Sequence, residues 1–173
     1  MNKLLGNKNV VLIGMPGAGK STVGVLLAKA LKMPFIDTDL LIQKQENRYL
    51  QELINTCGMN EFLKIEENVI LGLDAENTVI ATGGSAVYSE AAINHLKSNG
   101  ILIFLNSKMY QLERRLKNAH TRGIAMKSGQ TLHNLYLERL PLYKKYADVE
   151  IDCSKKHIET IVTDIKNGLQ KFN

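Results

Sequence analysis

Two kinds of hydrophobic pattern alternate along this chain. Short, mainly apolar stretches stand at 10–13, 78–81 and 101–105, with briefer strand-like ones at 34–37 and 149–151. Runs of this length predict strands buried on both faces. Between them, apolar residues recur every three or four positions at 20–31, 90–96, 108–117, 132–146 and 158–172. That spacing lays one apolar stripe along a helix. Positions 40–73 read as several helices, broken near Asn47 and at Gly58. Pro141 is expected to bend or restart its helix, because it lacks the N–H and crowds the preceding turn. Residues 118–130 are polar, hold two glycines and sustain no period, which reads as a loop.

Strands alternate with helices from end to end. The expectation is an α/β fold: three α/β/α layers around a five-stranded parallel sheet. Ligands of such sheets bind beyond the carboxyl ends of the strands. The residues to inspect are therefore 14–21, 37–39, 82–85 and Asn106. No repeat, long linker or low-complexity stretch interrupts the 173 residues, which fit one domain over 1–173.

The first of these segments carries chemistry. Gly14, Gly19, Lys20 and Ser21 meet the pattern G-x-x-x-x-G-K-[ST] between a predicted strand and a predicted helix. Glycines let backbone N–H groups converge on phosphate oxygens, and the helix that follows points its positive end at them. Gly17, Ala18, Gly19 and Thr22 belong to this nucleotide cradle. Lys20 is expected to reach the β- and γ-phosphates, and Ser21 to hold Mg²⁺. The motif alone does not separate ATPase, GTPase and kinase.

Composition narrows the setting. The formal net charge is +5, with 45% hydrophobic and 23% charged residues. No basic patch interleaved with aromatics accompanies the charge, so a nucleic-acid partner is not expected. Lysines and arginines for a polyanionic nucleotide account for it. No stretch approaches a membrane span and the first eight residues are no signal peptide, so a cytoplasmic protein is expected. Cys57 and Cys153 stand far apart in no ligand spacing. No exposed apolar seam or heptad is visible, which makes a monomer the default.

Taken in order, further segments carry a resemblance. Phe35-Ile36-Asp37-Thr38-Asp39 follows the second strand; Val79 to Gly84 reads Val-Ile-Ala-Thr-Gly-Gly; Arg139-Leu140-Pro141-Leu142-Tyr143 precedes Ala147-Asp148. With the phosphate cradle and the pair Arg115 and Arg122, the set resembles the shikimate kinase family, within the nucleoside-monophosphate-kinase-like group, over nearly the whole chain. The resemblance implies transfer of the γ-phosphoryl of ATP to the 3-hydroxyl of shikimate, with Mg²⁺. It implies substrate-binding helices at about 38–75 and a mobile lid at about 118–131. In that family's terms Asp39 would bind the attacking hydroxyl and accept its proton, and Asp37 would orient the Mg²⁺ shell. Gly83 and Gly84 would offer backbone N–H groups to the substrate, and Arg139 would clamp its carboxylate. Arg122 would close over the phosphates as a catalytic group, and Arg115 would stack near the adenine.

Three positions depart from the family pattern. Phe62 and Glu66 match, but the arginine expected between them is Leu63. Lys64 is adjacent, yet one helical step turns it about 100° away. Ser85 stands where a third glycine is usual, and the lid reads Arg122-Gly123-Ile124-Ala125, with a flexible glycine in place of a rigid proline. Two other readings follow: a kinase for another hydroxy acid or polyol such as gluconate, and a non-catalytic nucleotide-binding protein on a kinase scaffold.

Overall fold

The computed structural model describes residues 5–117 and 123–172. Five strands form one sheet: β1 (Asn9–Ile13), β2 (Phe35–Asp37), β3 (Val79–Ala81), β4 (Gly100–Asn106) and β5 (Val149–Asp152). Their order is β2-β3-β1-β4-β5 and every pairing is parallel. The predicted fold class is the one observed. All five residues of β1 are buried, as a central strand covered on both faces requires. Each buried Val, Leu or Ile there contributes roughly 1.5–3 kcal/mol by leaving water.

Seven α-helices flank the sheet: α1 (Lys20–Leu31), α2 (Thr38–Glu46), α3 (Leu50–Leu71), α4 (Glu90–Ser98), α5 (Met109–Lys117), α6 (Leu132–Tyr146) and α7 (Ile158–Leu169). Helix α1 packs on α7, and α3 packs on α2 and α4. Asn47 ends α2 in the left-handed region, and Gly58 (φ 79°, ψ 169°) kinks α3. Both interruptions are where the pattern put them. A 3₁₀ turn at Ala86–Tyr88 was not expected, and the end of the expected closing helix, Gln170–Phe172, is a second one.

Of the two outcomes expected at Pro141, the restart is absent, because α6 runs through it as one helix. Leu135, Arg139 and Tyr143 are buried at every fourth position, so one continuous stripe anchors the helix on both sides of the proline. Pro141 itself is exposed. The carbonyl it leaves without a helical donor, that of Leu137, belongs to an exposed residue where water can serve.

Two apolar clusters result. The larger surrounds the sheet; the smaller joins Ile42, Leu50, Leu53, Phe62, Val69 and Ala125 between α2, α3 and the segment before α6. The carboxyl ends of β1, β2 and β3 open between these clusters.

Candidate active site

The donor end begins where β1 stops. Gly14, Gly17 and Gly19 have φ of 147°, 80° and 92°, conformations that side chains avoid, and carry the backbone into α1. Gly19 caps α1 with no side-chain bond, leaving the first N–H groups of the helix for an anion. Lys20 is buried and its Nζ donates to the carbonyls of Gly14 (2.8 Å) and Met15 (2.9 Å). Burial lowers its pKa to about 8, against the pull of the Asp39 charge, so it stays cationic at neutral pH. The Ser21 hydroxyl donates to Asp37 Oδ2 at 2.6 Å, while Asp37 Oδ1 accepts from the Asp39 N–H at 3.0 Å and caps α2. The two residues expected at the metal are thus in direct contact. Arg115 Nη1 donates to the Gly17 carbonyl at 2.9 Å, which lays this guanidinium along the cradle.

The acceptor end is built around two glycines after β3. A Cβ on Gly83 would collide with Glu66 Oε1 and lie 2.8 Å from Asp39 Oδ1. A Cβ on Gly84 would lie 2.8 Å from Pro16 Cδ and 3.0 Å from Arg139 Nη1. Glycine here is a requirement of close approach. The Gly83 N–H, expected to serve the substrate, donates here to Thr38 Oγ1 at 3.1 Å. The Gly84 carbonyl accepts from the Tyr143 hydroxyl at 2.7 Å. Tyr143 is itself stacked on Phe104, with ring centroids 5.1 Å apart.

Arg139 is fully buried and largely engaged. Its Nε donates to the Tyr88 hydroxyl (3.1 Å), its Nη2 donates to the Ala125 carbonyl (2.6 Å), and the guanidinium lies 4.9 Å from the centre of the Tyr88 ring. Nη1 has no partner. These two bonds use two of the five guanidinium N–H donors, which leaves Nη1 for a carboxylate. Glu66 is equally buried. Its Oε2 accepts from the Ser85 hydroxyl at 2.5 Å, and Oε1 has no partner among the described residues. Burial raises its pKa to about 7, with the Ser85 bond opposing the rise.

Both ends face one cleft with a cavity volume of about 260 Å³. Gly17, Gly19, Lys20, Ser21, Thr22 and Asp37 line one part; Asp39, Gly83, Gly84, Ser85 and Arg139 line another. Gly123, Ile124 and Ala125 of the expected lid close the side. Gly123 allows close packing: a Cβ there would lie 2.5 Å from Leu50 Cβ and 2.7 Å from the Gln51 nitrogen. Its expected role as a flexible link is replaced by that of a packing contact. Arg122 lies outside the described residues. Ala18 is buried beneath the cradle. Leu63 and Lys64 both line a neighbouring cavity, and the exposed Lys64 has its Nζ 3.4 Å from Glu61.

Sequence reasoning assigned no role to Thr38, Glu66 or Tyr88. Glu66 had a signal, since it interrupts the buried stripe Phe62, Glu66, Val69 and Ile70 on α3. Nothing local marks Thr38 or Tyr88.

Known proteins share this arrangement. The family model described as shikimate kinase matches residues 16–170. A shikimate kinase from Rhizobium meliloti (strain 1021) is 34% identical over 166 residues, covering 94% of this chain and 86% of that protein. Threonine synthase-like 1 from Homo sapiens is 33% identical over 174 residues, 99% of this chain. The chain spans only 23% of the length of that relative. Among solved structures, a shikimate kinase from Acinetobacter baumannii in complex with shikimate superposes with a TM-score of 0.84 at 27% identity, covering 92% of this chain and 91% of that one. With the family model matched over most of its length and the cleft in the corresponding fold, the chain belongs to the shikimate kinase family.

Proposed function

We propose that this chain transfers the γ-phosphoryl group of ATP to the 3-hydroxyl of shikimate. The observation that carries the reading is the single cleft. Lys20 and the Gly-rich turn stand in it with Asp39 and a buried guanidinium whose Nη1 lacks a partner. A phosphate donor and an anionic hydroxylated acceptor are the complements of those two sets.

ATP would lie with its phosphates on the backbone of residues 17–22. Lys20 would leave the Gly14 and Met15 carbonyls for the β- and γ-phosphates, where its charge stabilises the transition state. Ser21 and Asp37 fit a Mg²⁺ ion: a hydroxyl and a carboxylate 2.6 Å apart at the lip of the cradle suit a hard cation that keeps most of its waters. When bound, Mg²⁺ supplies positive charge across the phosphates. Asp39 would accept the hydrogen bond, then the proton, of the attacking hydroxyl. The new O–P bond forms as the bond between the γ-phosphorus and the β–γ bridging oxygen breaks, and ADP leaves with that oxygen. Arg139 Nη1 would take the acceptor carboxylate. Arg115 and Arg122 would hold the nucleotide side, Arg122 from a lid over about 118–131 that excludes water.

A single domain acting as a cytoplasmic monomer is part of this proposal, and size-exclusion chromatography with light scattering checks the monomer. Among the described residues no helix is long and apolar enough to cross a membrane. The decisive assay couples ADP release to NADH oxidation, with shikimate, gluconate and other hydroxy acids offered in turn. Saturable ADP release that depends on shikimate is expected. Release that depends on gluconate alone, or on no acceptor, overturns the assignment.

A further inference from the structure

Tyr88 lines the second cavity, of about 120 Å³, while Arg139, which it touches, lines the reaction cleft. Tyr88 thus stands one contact back from the cleft. An arginine side chain gives up much rotamer freedom when its head is fixed, so a guanidinium stays in one place only where several contacts hold it. Here the Arg139 Nε donates to the Tyr88 hydroxyl at 3.1 Å, and its Cζ lies 4.9 Å from the centre of the Tyr88 ring. Its Nη2 donates to the Ala125 carbonyl at 2.6 Å. Tyr88 therefore holds this cation both by its hydroxyl and by its ring face.

The direction of the hydroxyl bond is itself set. A phenolic hydroxyl has a single proton to give, and its lone pairs face away from whatever takes it. The Tyr88 hydroxyl donates to Glu138 Oε1 at 2.5 Å, which turns its lone pairs toward Arg139 Nε. That bond is the main cause holding the exposed Glu138 carboxyl below the ordinary 4.5, so Glu138 is ionised at neutral pH. Its other oxygen accepts from Gln130 Nε2 at 2.9 Å and lies 4.0 Å from Lys127 Nζ. Carboxylate, phenol and guanidinium form a relay with a charge at each end, in which each bond strengthens the next. With Nε and Nη2 engaged, Nη1 is the guanidinium nitrogen set against Gly84, where a Cβ would lie 3.0 Å from it, and it has no partner among the described residues.

We propose that Tyr88 is a positioning residue: its hydroxyl, turned by Glu138, holds the Arg139 guanidinium so that Nη1 is presented to the anion of the acceptor. This rests on the kinase reading above and goes beyond it by assigning what fixes the cation in place. Tyr88 acts through Arg139 and not on the acceptor itself. Its effect is therefore confined to one end of the cleft and disappears when the Arg139 side chain can no longer be held.

The test measures KM for shikimate and for ATP in the wild-type chain, in Tyr88→Phe, in Arg139→Lys and in the double variant. Tyr88→Phe keeps the ring and removes the hydroxyl. It should raise KM for shikimate by about tenfold and leave KM for ATP unchanged, as loss of one hydrogen bond to a charged group implies. In the Arg139→Lys background, which has no Nε, the same change should have an effect of less than about twofold, because residues joined by one bond are not additive. A role of the hydroxyl in packing alone would give the same factor in both backgrounds. If Tyr88→Phe fails to fold, Glu138→Gln carries the test from an exposed position. It should raise KM for shikimate by about threefold in the wild-type background only, since a charge-assisted bond is roughly twice as strong as a neutral one. An unchanged KM for shikimate, or an equal factor in both backgrounds, overturns the proposal. Absence of any shikimate turnover by the wild-type chain overturns the kinase reading beneath it instead.

Discussion

The donor and acceptor ends of the cleft satisfy their polar groups in opposite ways. At the donor end Lys20 rests on two carbonyls, Ser21 on Asp37 and Arg115 on the Gly17 carbonyl. Each of these groups has an internal stand-in for a phosphate or a metal. At the acceptor end Arg139 Nη1 and Glu66 Oε1 are buried with no partner among the described residues. Such groups cost about 1–3 kcal/mol each, more when charged. The donor end is therefore complete before nucleotide arrives and must exchange bonds to bind it. On the proposed reading the acceptor end would be completed by its ligand, with an anion at Arg139 Nη1. Generic phosphate handling and specific acceptor recognition are thereby separated in space and in energetics.

Substitutions can break this contrast, and the largest effect is expected at Lys20. Lys20→Ala should lower kcat by about 10³-fold, as loss of a charge stabiliser in a preorganised site does. Circular dichroism should show the fold retained, because the two carbonyls it leaves lie in a cleft open to water. Asp39→Asn should lower kcat on the order of 10²-fold with acceptor binding retained. Near-normal turnover in that variant would remove Asp39 from the chemistry.

The next effect is one of stability. The Glu66 pKa of about 7 lies above the ordinary 4.5, so the native chain keeps a proton that the unfolded chain releases. The stability linked to this group is fully present below the unfolded value and is lost as pH rises through 7. At about 1.4 kcal/mol for each tenfold change in proton affinity, the loss reaches about 3 kcal/mol. Glu66→Gln should match the wild-type chain in urea denaturation at pH 5 and exceed it at pH 8. A pH-independent difference would contradict the assignment of Glu66 as the buried acid.

Arg139→Lys should raise KM for the acceptor by roughly tenfold and leave KM for ATP unchanged, since one charge-assisted bond is lost at one end of the cleft only. Leu63→Arg is expected to have the smallest effect. Position 63 opens on the second cavity beside Glu66, and Ser85 already holds one Glu66 oxygen. A change in KM for the acceptor of less than about tenfold follows, worth less than one charge-assisted bond. A larger gain would show that Ser85 is no substitute for a cation at this place.

The same division decided what could be read from the chain itself. The five strands and the seven helices follow from local periodicity, and the donor end from contiguous residues: Gly14 to Thr22, then Asp37 and Asp39 two apart. Local pattern also placed the breaks at Asn47 and Gly58. The restart it allowed at Pro141 is absent, since the stripe Leu135, Arg139 and Tyr143 outweighs one missing backbone bond. The acceptor end was legible only in pieces. Ser85 and Glu66 are 19 residues apart, Thr38 and Gly83 are 45 apart, and Tyr88 and Arg139 are 51 apart. No periodicity encodes such pairings, which arise when α3, the turn after β3 and α6 are brought together by the sheet. Resemblance singled out Leu63 and Ser85 as separate departures. The structure joins them through one carboxyl, since both lie beside Glu66.

The most direct test of the contrast is isothermal titration of the wild-type chain with shikimate and with its methyl ester. The ester keeps every hydroxyl and removes the anion that Arg139 Nη1 lacks. The ester is expected to bind about tenfold or more weakly, by the loss of a hydrogen bond between charged groups. Equal affinities would contradict the contrast, because the acceptor end would then be complete without an anion.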